Sequence, residues 1–65
     1  MNIYCAMEKR NKKWTVGTIG PCNAITPCGD IQEFDTFDEA NQVASDIAKG
    51  KYPWVADKGE FVNMR

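Results

Sequence analysis

The chain of 65 residues contains no histidine, only three cysteines and no run of eighteen apolar residues. Without histidine, no side chain has an ordinary pKa close to neutrality, so acid–base and nucleophilic catalysis lack their usual partner. A transmembrane helix needs a longer apolar run, and the first ten residues lack the pattern of a secretory signal. We therefore expect a cytoplasmic protein that does not contact a membrane and is not an enzyme.

The three cysteines, Cys5, Cys22 and Cys28, do not form a zinc-binding pattern. A zinc site needs four ligands, commonly in closely spaced pairs, and here Asp30 would have to serve as the fourth. In a reducing compartment the cysteines are expected to be free thiols, and Cys5 is expected to behave as a small core residue. The sequence predicts no metal and no cofactor.

Proline and glycine are concentrated in residues 20–29, GPCNAITPCG. Prolines remove backbone donors and restrict the backbone, so we expect this segment to be a stiff connection that no regular element crosses. We expect a short strand in residues 31–34 to follow it and rejoin the sheet.

Residues 2–8 alternate, with Ile3, Cys5 and Met7 on one face, as in a half-buried strand. A second extended run covers residues 14–19, and Asn11 between them tolerates the left-handed backbone of a tight reversal. These two runs predict a β-hairpin. After Pro53, residues 54–56 and 60–64 are expected to be two further strands joined by a turn.

Residues 36–49 carry the pattern of an amphipathic helix. Thr36 and Glu39 form a capping-box pair at its start, and Gly50 suits its end. One apolar stripe is predicted to face the sheet: Phe37, Ala40, Val43, Ala44, Ile47 and Ala48. The chain is thus expected to be one α+β domain, residues 1–65, in which one helix packs on a small antiparallel sheet of three to five strands in the order β-β-β-α-β-β.

Eight basic and nine acidic side chains give a net charge of −1, but the charges are segregated along the chain. Between residues 30 and 46 there are six acids and no lysine or arginine: Asp30, Glu33, Asp35, Asp38, Glu39 and Asp46. The helix dipole accounts for acids at residues 38 and 39, but not for the first three. An acidic surface of this kind is a candidate partner-binding surface.

The predicted hairpin tip carries the opposite charge, from Lys9, Arg10, Lys12 and Lys13, with Trp14 beside them. Basic side chains next to an aromatic ring are typical of surfaces that hold phosphates and stack bases. The same pattern also arises when lysines solubilise a hairpin and the tryptophan belongs to the core. Direct nucleic-acid binding is therefore the less favoured alternative.

Two segments, M-N-I-Y-C-A-M at the N-terminus and F-D-T-F-D-E-A-N-Q-V-A at the helix start, lie in a small α+β chain with an acidic surface. In this pattern the chain resembles the small phage-encoded inhibitors of host defence, in particular the anti-CRISPR proteins. The resemblance implies stoichiometric binding to a host protein or ribonucleoprotein effector, in the host cytoplasm, where target DNA should enter.

Three functions compete on the sequence alone. The first is such an inhibitor, acting through the acidic surface as a DNA mimic, and the second is a nucleic-acid binder that uses the hairpin tip. The third is a structural or assembly module with an apolar interface, for which Tyr52 and Trp54 are candidate anchors. The expected assembly state is a monomer or a weak homodimer.

Overall fold

The computed structural model describes residues 2–20, 25–27, 32–53 and 58–63. In this part of the chain a helix packs against one sheet of four strands, in the order β3-β2-β1-β4. The elements are β1 (Asn2–Glu8), β2 (Trp14–Ile19), β3 (Ile25–Pro27), α1 (Phe37–Ala48) and β4 (Gly59–Phe61). The predicted α+β class, with a small sheet and one helix, is confirmed.

The sheet is mixed, whereas the sequence predicted an antiparallel one. β2 is antiparallel to both β1 and β3, but β4 is parallel to β1, with Ile3 opposite Glu60. The helix carries the chain from the β3 side of the sheet to the far side of β1, so β4 enters in the same direction as β1. The strand predicted for residues 54–56 lies outside the described residues.

The predicted hairpin of β1 and β2 is confirmed, but its turn differs from expectation. The Lys12 amide donates to the Lys9 carbonyl at 3.1 Å, and the Lys9 amide donates to the Lys13 carbonyl at 2.7 Å. The left-handed residue is Lys12, with φ of 65°, and not Asn11. Asn11 instead accepts a bond from the Lys13 amide through its side-chain oxygen, at 3.1 Å. The hairpin therefore has a three-residue loop, which consists of a turn followed by a left-handed residue. Glycine usually occupies that left-handed position, which here is held by Lys12.

The positive φ of Lys12 leads to a prediction about the free energy of unfolding. The left-handed backbone conformation costs an L-residue roughly 1–2 kcal/mol. Glycine avoids this steric cost but loses more backbone entropy on folding, which offsets part of the gain. We expect Lys12→Gly to raise the free energy of unfolding by about 1 kcal/mol, and the melting temperature by about 4–8 °C. Thermal denaturation followed by circular dichroism measures it. Lys12→Ala is the control, because it removes the same charge but keeps Cβ. An equal gain in melting temperature for Lys12→Ala would show that the effect comes from the lost charge and not from the backbone conformation.

The third strand differs from the sequence prediction in its position. β3 lies inside the segment where no regular element was expected, pairing Ile25 with Ile19 and Pro27 with Gly17. Proline is tolerated here because β3 is an edge strand, whose free side needs no donor. The predicted strand at 31–34 is reduced to one bridge, in which Phe34 and Trp14 exchange backbone bonds of 2.6 and 2.8 Å. Cys22, Cys28 and Ile31 lie outside the described residues.

The helix begins and ends where its sequence signals predicted. The Glu39 amide donates to the Thr36 hydroxyl oxygen at 3.3 Å, and Gly50 adopts the left-handed φ of 75° after the last turn. The apolar stripe faces the sheet, with Ala40, Ala44 and Ile47 fully buried. The predicted boundaries and the buried face of the helix are therefore confirmed.

The helix contacts β1, β2 and β4 from one side of the sheet. On β1 it covers Tyr4 and Ala6, which are 2% and 3% exposed, and not the alternate face of Ile3, Cys5 and Met7. The small Ala6 side chain suits close approach by the helix alanines, while the Tyr4 ring fills the remaining space. Cys5 is nevertheless fully buried, with its thiol 3.9 Å from the Gly17 carbonyl oxygen, and burial raises its pKa.

Candidate interaction surfaces

The basic hairpin tip and part of the acidic segment meet in one ionic cluster, which we call the hairpin clamp: Lys9, Asn11, Lys13, Glu33 and Asp35. Lys13 Nζ pairs with Asp35 Oδ1, and Lys9 Nζ lies 3.5 Å from Glu33 Oε1. Asn11 Nδ2 donates to Glu33 Oε2 at 2.8 Å. The sequence suggested separate basic and acidic surfaces. In the fold, two of the four hairpin cations, Lys9 and Lys13, instead pair with two of the six acids, Glu33 and Asp35.

The bridge between Phe34 and Trp14 explains how the hairpin clamp forms. Phe34 is buried in the core beneath the helix, and side chains alternate along an extended segment. Its two neighbours, Glu33 and Asp35, are therefore directed away from the core at the end of the hairpin. Neither the bridge nor the clamp has a local sequence signal.

The hairpin clamp shifts the pKa values of Lys13, Glu33 and Asp35 in the directions that favour their charged forms. The hydrogen bond and the charge of Lys13 lower the pKa of Asp35, and Asp35 in turn raises the pKa of Lys13. The pKa of Glu33 is lowered mainly by the hydrogen bond from Asn11, and then by Lys9. The Asp35 side chain remains 76% exposed, so solvent and salt screen these pairs and they contribute little to stability.

The remaining part of the hairpin tip offers two cations. In the described parts of the chain, neither Arg10 nor Lys12 forms an ion pair. Trp14, the ring expected to stack on bases, is half-buried and packs edge to face on Phe37, with ring centroids 5.3 Å apart. The alternative nucleic-acid surface thus consists of exposed charges beside a ring that is engaged in the core.

The outer side of the helix forms an acidic helix face, defined by Asp38, Glu39, Gln42 and Asp46. Asp38, Glu39 and Gln42 are exposed and Asp46 is half-buried. Gln42 Nε2 donates to Asp46 Oδ1 at 3.1 Å, which orients that carboxylate. Of the six acids predicted as one surface, three lie here, two belong to the hairpin clamp, and Asp30 lies outside the described residues.

Sequence reasoning missed the sheet face that is turned away from the helix, which we call the open sheet face: Ile3, Met7, Ile19, Ile25 and Pro27. The strand register places these five side chains on one side, where Pro27 is exposed and the other four are half-buried. At the hairpin end, Met7 and Pro27 line an open groove together with Arg10. The sequence signal for this face was Ile25, an apolar residue in the segment 20–29. It was overlooked because that segment was predicted to be a connection without a strand.

The other expected apolar anchors lie elsewhere. Tyr52 is half-buried and packs against the helix-side core, and its burial raises its pKa; Trp54 lies outside the described residues. Among the residues that the structure describes, no three potential metal ligands come together. Nor does that part of the chain contain a helix with the length and hydropathy to cross a membrane.

Comparisons of the chain with protein-family models, with curated proteins and with solved structures found no match.

Proposed function

We propose that this protein is a non-catalytic inhibitor of the anti-CRISPR kind, which binds a basic nucleic-acid groove of a host CRISPR effector through its acidic helix face. Binding there excludes target DNA. The observation that carries the proposal is the charge on the outer side of the helix, where Asp38, Glu39 and Asp46 are presented and no lysine or arginine occurs between residues 14 and 48.

The carboxylates of the acidic helix face span a length comparable to several phosphate steps. A helix rises 1.5 Å per residue, so Asp38 and Glu39 lie side by side in the first turn and Asp46 lies about 12 Å from Asp38 along the axis. One strand of B-DNA carries one charge per roughly 3.4 Å of axis.

The acidic helix face is also held rigidly. Its opposite side is anchored by Ala40, Ala44 and Ile47, which are completely buried, so the backbone that presents the carboxylates is fixed before a partner arrives. A preorganised surface loses less conformational entropy on binding, and complementary charge raises the association rate. Binding of this kind weakens as salt concentration rises.

The test is a gel-shift assay of target-DNA binding by purified RNA-guided effector complexes, both single-subunit and multi-subunit, in the presence of excess protein. We expect one class of effector to lose DNA binding, and direct binding of this protein to that effector, measured without DNA, to weaken as salt is raised from about 50 to 200 mM. Inhibition of none of these complexes would refute the proposal.

The most informative variant combines Glu39→Gln with Asp46→Lys. Glutamine retains the capping-box chemistry at residue 39, and a lysine in the last turn suits the helix dipole, so the fold should tolerate both changes. We expect the inhibitory concentration to rise at least tenfold, equivalent to about 1.4 kcal/mol. Charge reversal at Glu33 or Asp35 is less suitable because it would place like charges against the lysines of the hairpin clamp.

The matched control is Glu8→Lys with Thr26→Lys, which changes the net charge equally at two exposed strand positions outside the helix. We expect this variant to inhibit as the unmodified protein does. If both double variants lose inhibition to the same extent, the effect follows net charge and not the acidic helix face, and the DNA-mimic mechanism is wrong.

A further inference from the structure

We propose that the open sheet face is the interface of a reversible homodimer, in which two copies of this chain pack sheet to sheet about a two-fold axis that lies between the sheets and runs obliquely across the strands. This inference is independent of the proposed function, since it uses the opposite side of the molecule from the acidic helix face. It begins from the one-sided arrangement of the fold, in which the helix covers a single face of the sheet.

The open sheet face is continuous across the three strands that form it. An ideal Cβ placed on Gly17 would lie 2.6 Å from Ile25 Cγ2 and 2.7 Å from Met7 Sδ. The side chains of Met7 and Ile25 therefore cover the middle of β2 from both sides. A residue larger than glycine at position 17 would push them apart. The result is an apolar layer of the kind through which sheets pack face to face at a distance of about 10 Å.

The identity of the occupant follows from the charges at the two ends of this face. Arg10 lies at the hairpin end, where it lines the groove with Met7 and Pro27. Glu60 lies at the other end, opposite Ile3 in the parallel register of β1 and β4. Both side chains are exposed, and neither forms an ion pair with another described residue.

A two-fold axis that runs obliquely across the strands exchanges the two strand ends and also the two edges of the sheet, so the hairpin end of one copy faces the β4 side of the other. Each Arg10 then meets Glu60 of the other copy, so the same pair forms twice while the apolar centres coincide. Two-fold interfaces are self-complementary in this manner. A second copy of this chain therefore satisfies the charge pattern and the apolar surface together.

The size of the face sets the strength that we expect. With β4 included for Glu60, the four strands have seven, six, three and three residues. At about 3.3 Å per residue and about 4.8 Å between strands, each copy contributes on the order of 300 Å² in projection. Stable interfaces bury about 800 Å² per partner, and smaller ones are transient. The net charge of −1 offers little repulsion to association. We therefore expect a dimer that dissociates on dilution.

Sedimentation velocity from about 1 μM to 1 mM tests the proposal, because these concentrations cover the range of transient interfaces. The expected result is a shift from the monomer mass of 7.3 kDa towards twice that value. Arg10→Glu and Glu60→Arg should each raise the dissociation constant at least tenfold. The double variant, which swaps the two charges, should restore it to within about threefold, as expected for residues in direct contact.

Lys51→Glu, a charge reversal at an exposed residue that follows the helix, is the matched control and should leave dimerisation unchanged. Thermal denaturation of each variant separates loss of association from loss of fold. A protein that remains monomeric up to 1 mM refutes the proposal. A dimer that is unaffected by either single variant, or that the charge swap fails to restore, uses a different surface or symmetry and refutes it equally.

Discussion

Ile47→Ala is expected to unfold the protein or to leave it only marginally folded. Ile47 is fully buried at the centre of the helix–sheet contact, and truncation of such a residue typically costs about 2–5 kcal/mol. A domain of this length has a total stability of about 3–10 kcal/mol. Alanine is a better helix former than isoleucine, so a loss of stability reports packing and not helix propensity.

Urea denaturation followed by circular dichroism measures this effect as a shift of the midpoint. Val43→Ala is the control, because Val43 lies on the same helix and packs against the core while remaining partly exposed. We expect it to cost clearly less than Ile47→Ala. Equal midpoints for these two variants would contradict the assigned helix face.

Gly59→Ala is expected to produce the second large loss of stability. An ideal Cβ at this position would overlap the Asn2 carbonyl oxygen and lie 2.9 Å from Cε2 of Tyr4. The Asn2 carbonyl belongs to the backbone of β1, directly opposite Gly59 in the parallel register, so it moves only if the two strands separate. Overpacking typically costs about 1–3 kcal/mol, and we expect the upper end of this range.

Gly17→Ala provides the comparison. Its Cβ would meet the flexible ends of Met7 and Ile25 and, at 2.9 Å, the Thr26 carbonyl of a short edge strand. Side chains can rotate and an edge strand can shift, so this variant should lose less than Gly59→Ala in the same denaturation experiment. The opposite ranking would show that β4 approaches β1 less closely than its register implies.

The helix was the part of the fold that the sequence predicted best, because its signals are local. Thr36 and Gly50 lie at the ends of the segment that they define, and the apolar stripe between them specifies the buried face. The sheet was harder to predict since its pairings join distant residues. β3 was missed because Pro27 was taken to exclude a strand, although an edge strand accommodates proline.

The charged surfaces were predicted in composition but not in arrangement. Lys13 and Asp35 are 22 residues apart in sequence, and only the bridge between Trp14 and Phe34 brings them together. Alternation in β1 was evident, yet which face the helix would cover depended on how Tyr4 and Ala6 fit against its alanines. In the turn, Asn11 has the higher intrinsic preference for the left-handed region, but its side chain is used in hydrogen bonds and Lys12 adopts that conformation instead.

The parallel pairing of β1 with β4 has a consequence for how the chain folds during synthesis. Asn2 pairs with Gly59, and Tyr4 accepts a bond from the Val62 amide at 2.9 Å, so the first strand is completed by residues made more than fifty positions later. On a ribosome, the hairpin and the helix emerge while one side of β1 is still without its partner. Such an edge is a template for pairing with other chains, and contacts of this sequence separation form slowly. The sheet is therefore completed only when β4 joins it, and until that step the edge of β1 is available for pairing with other chains.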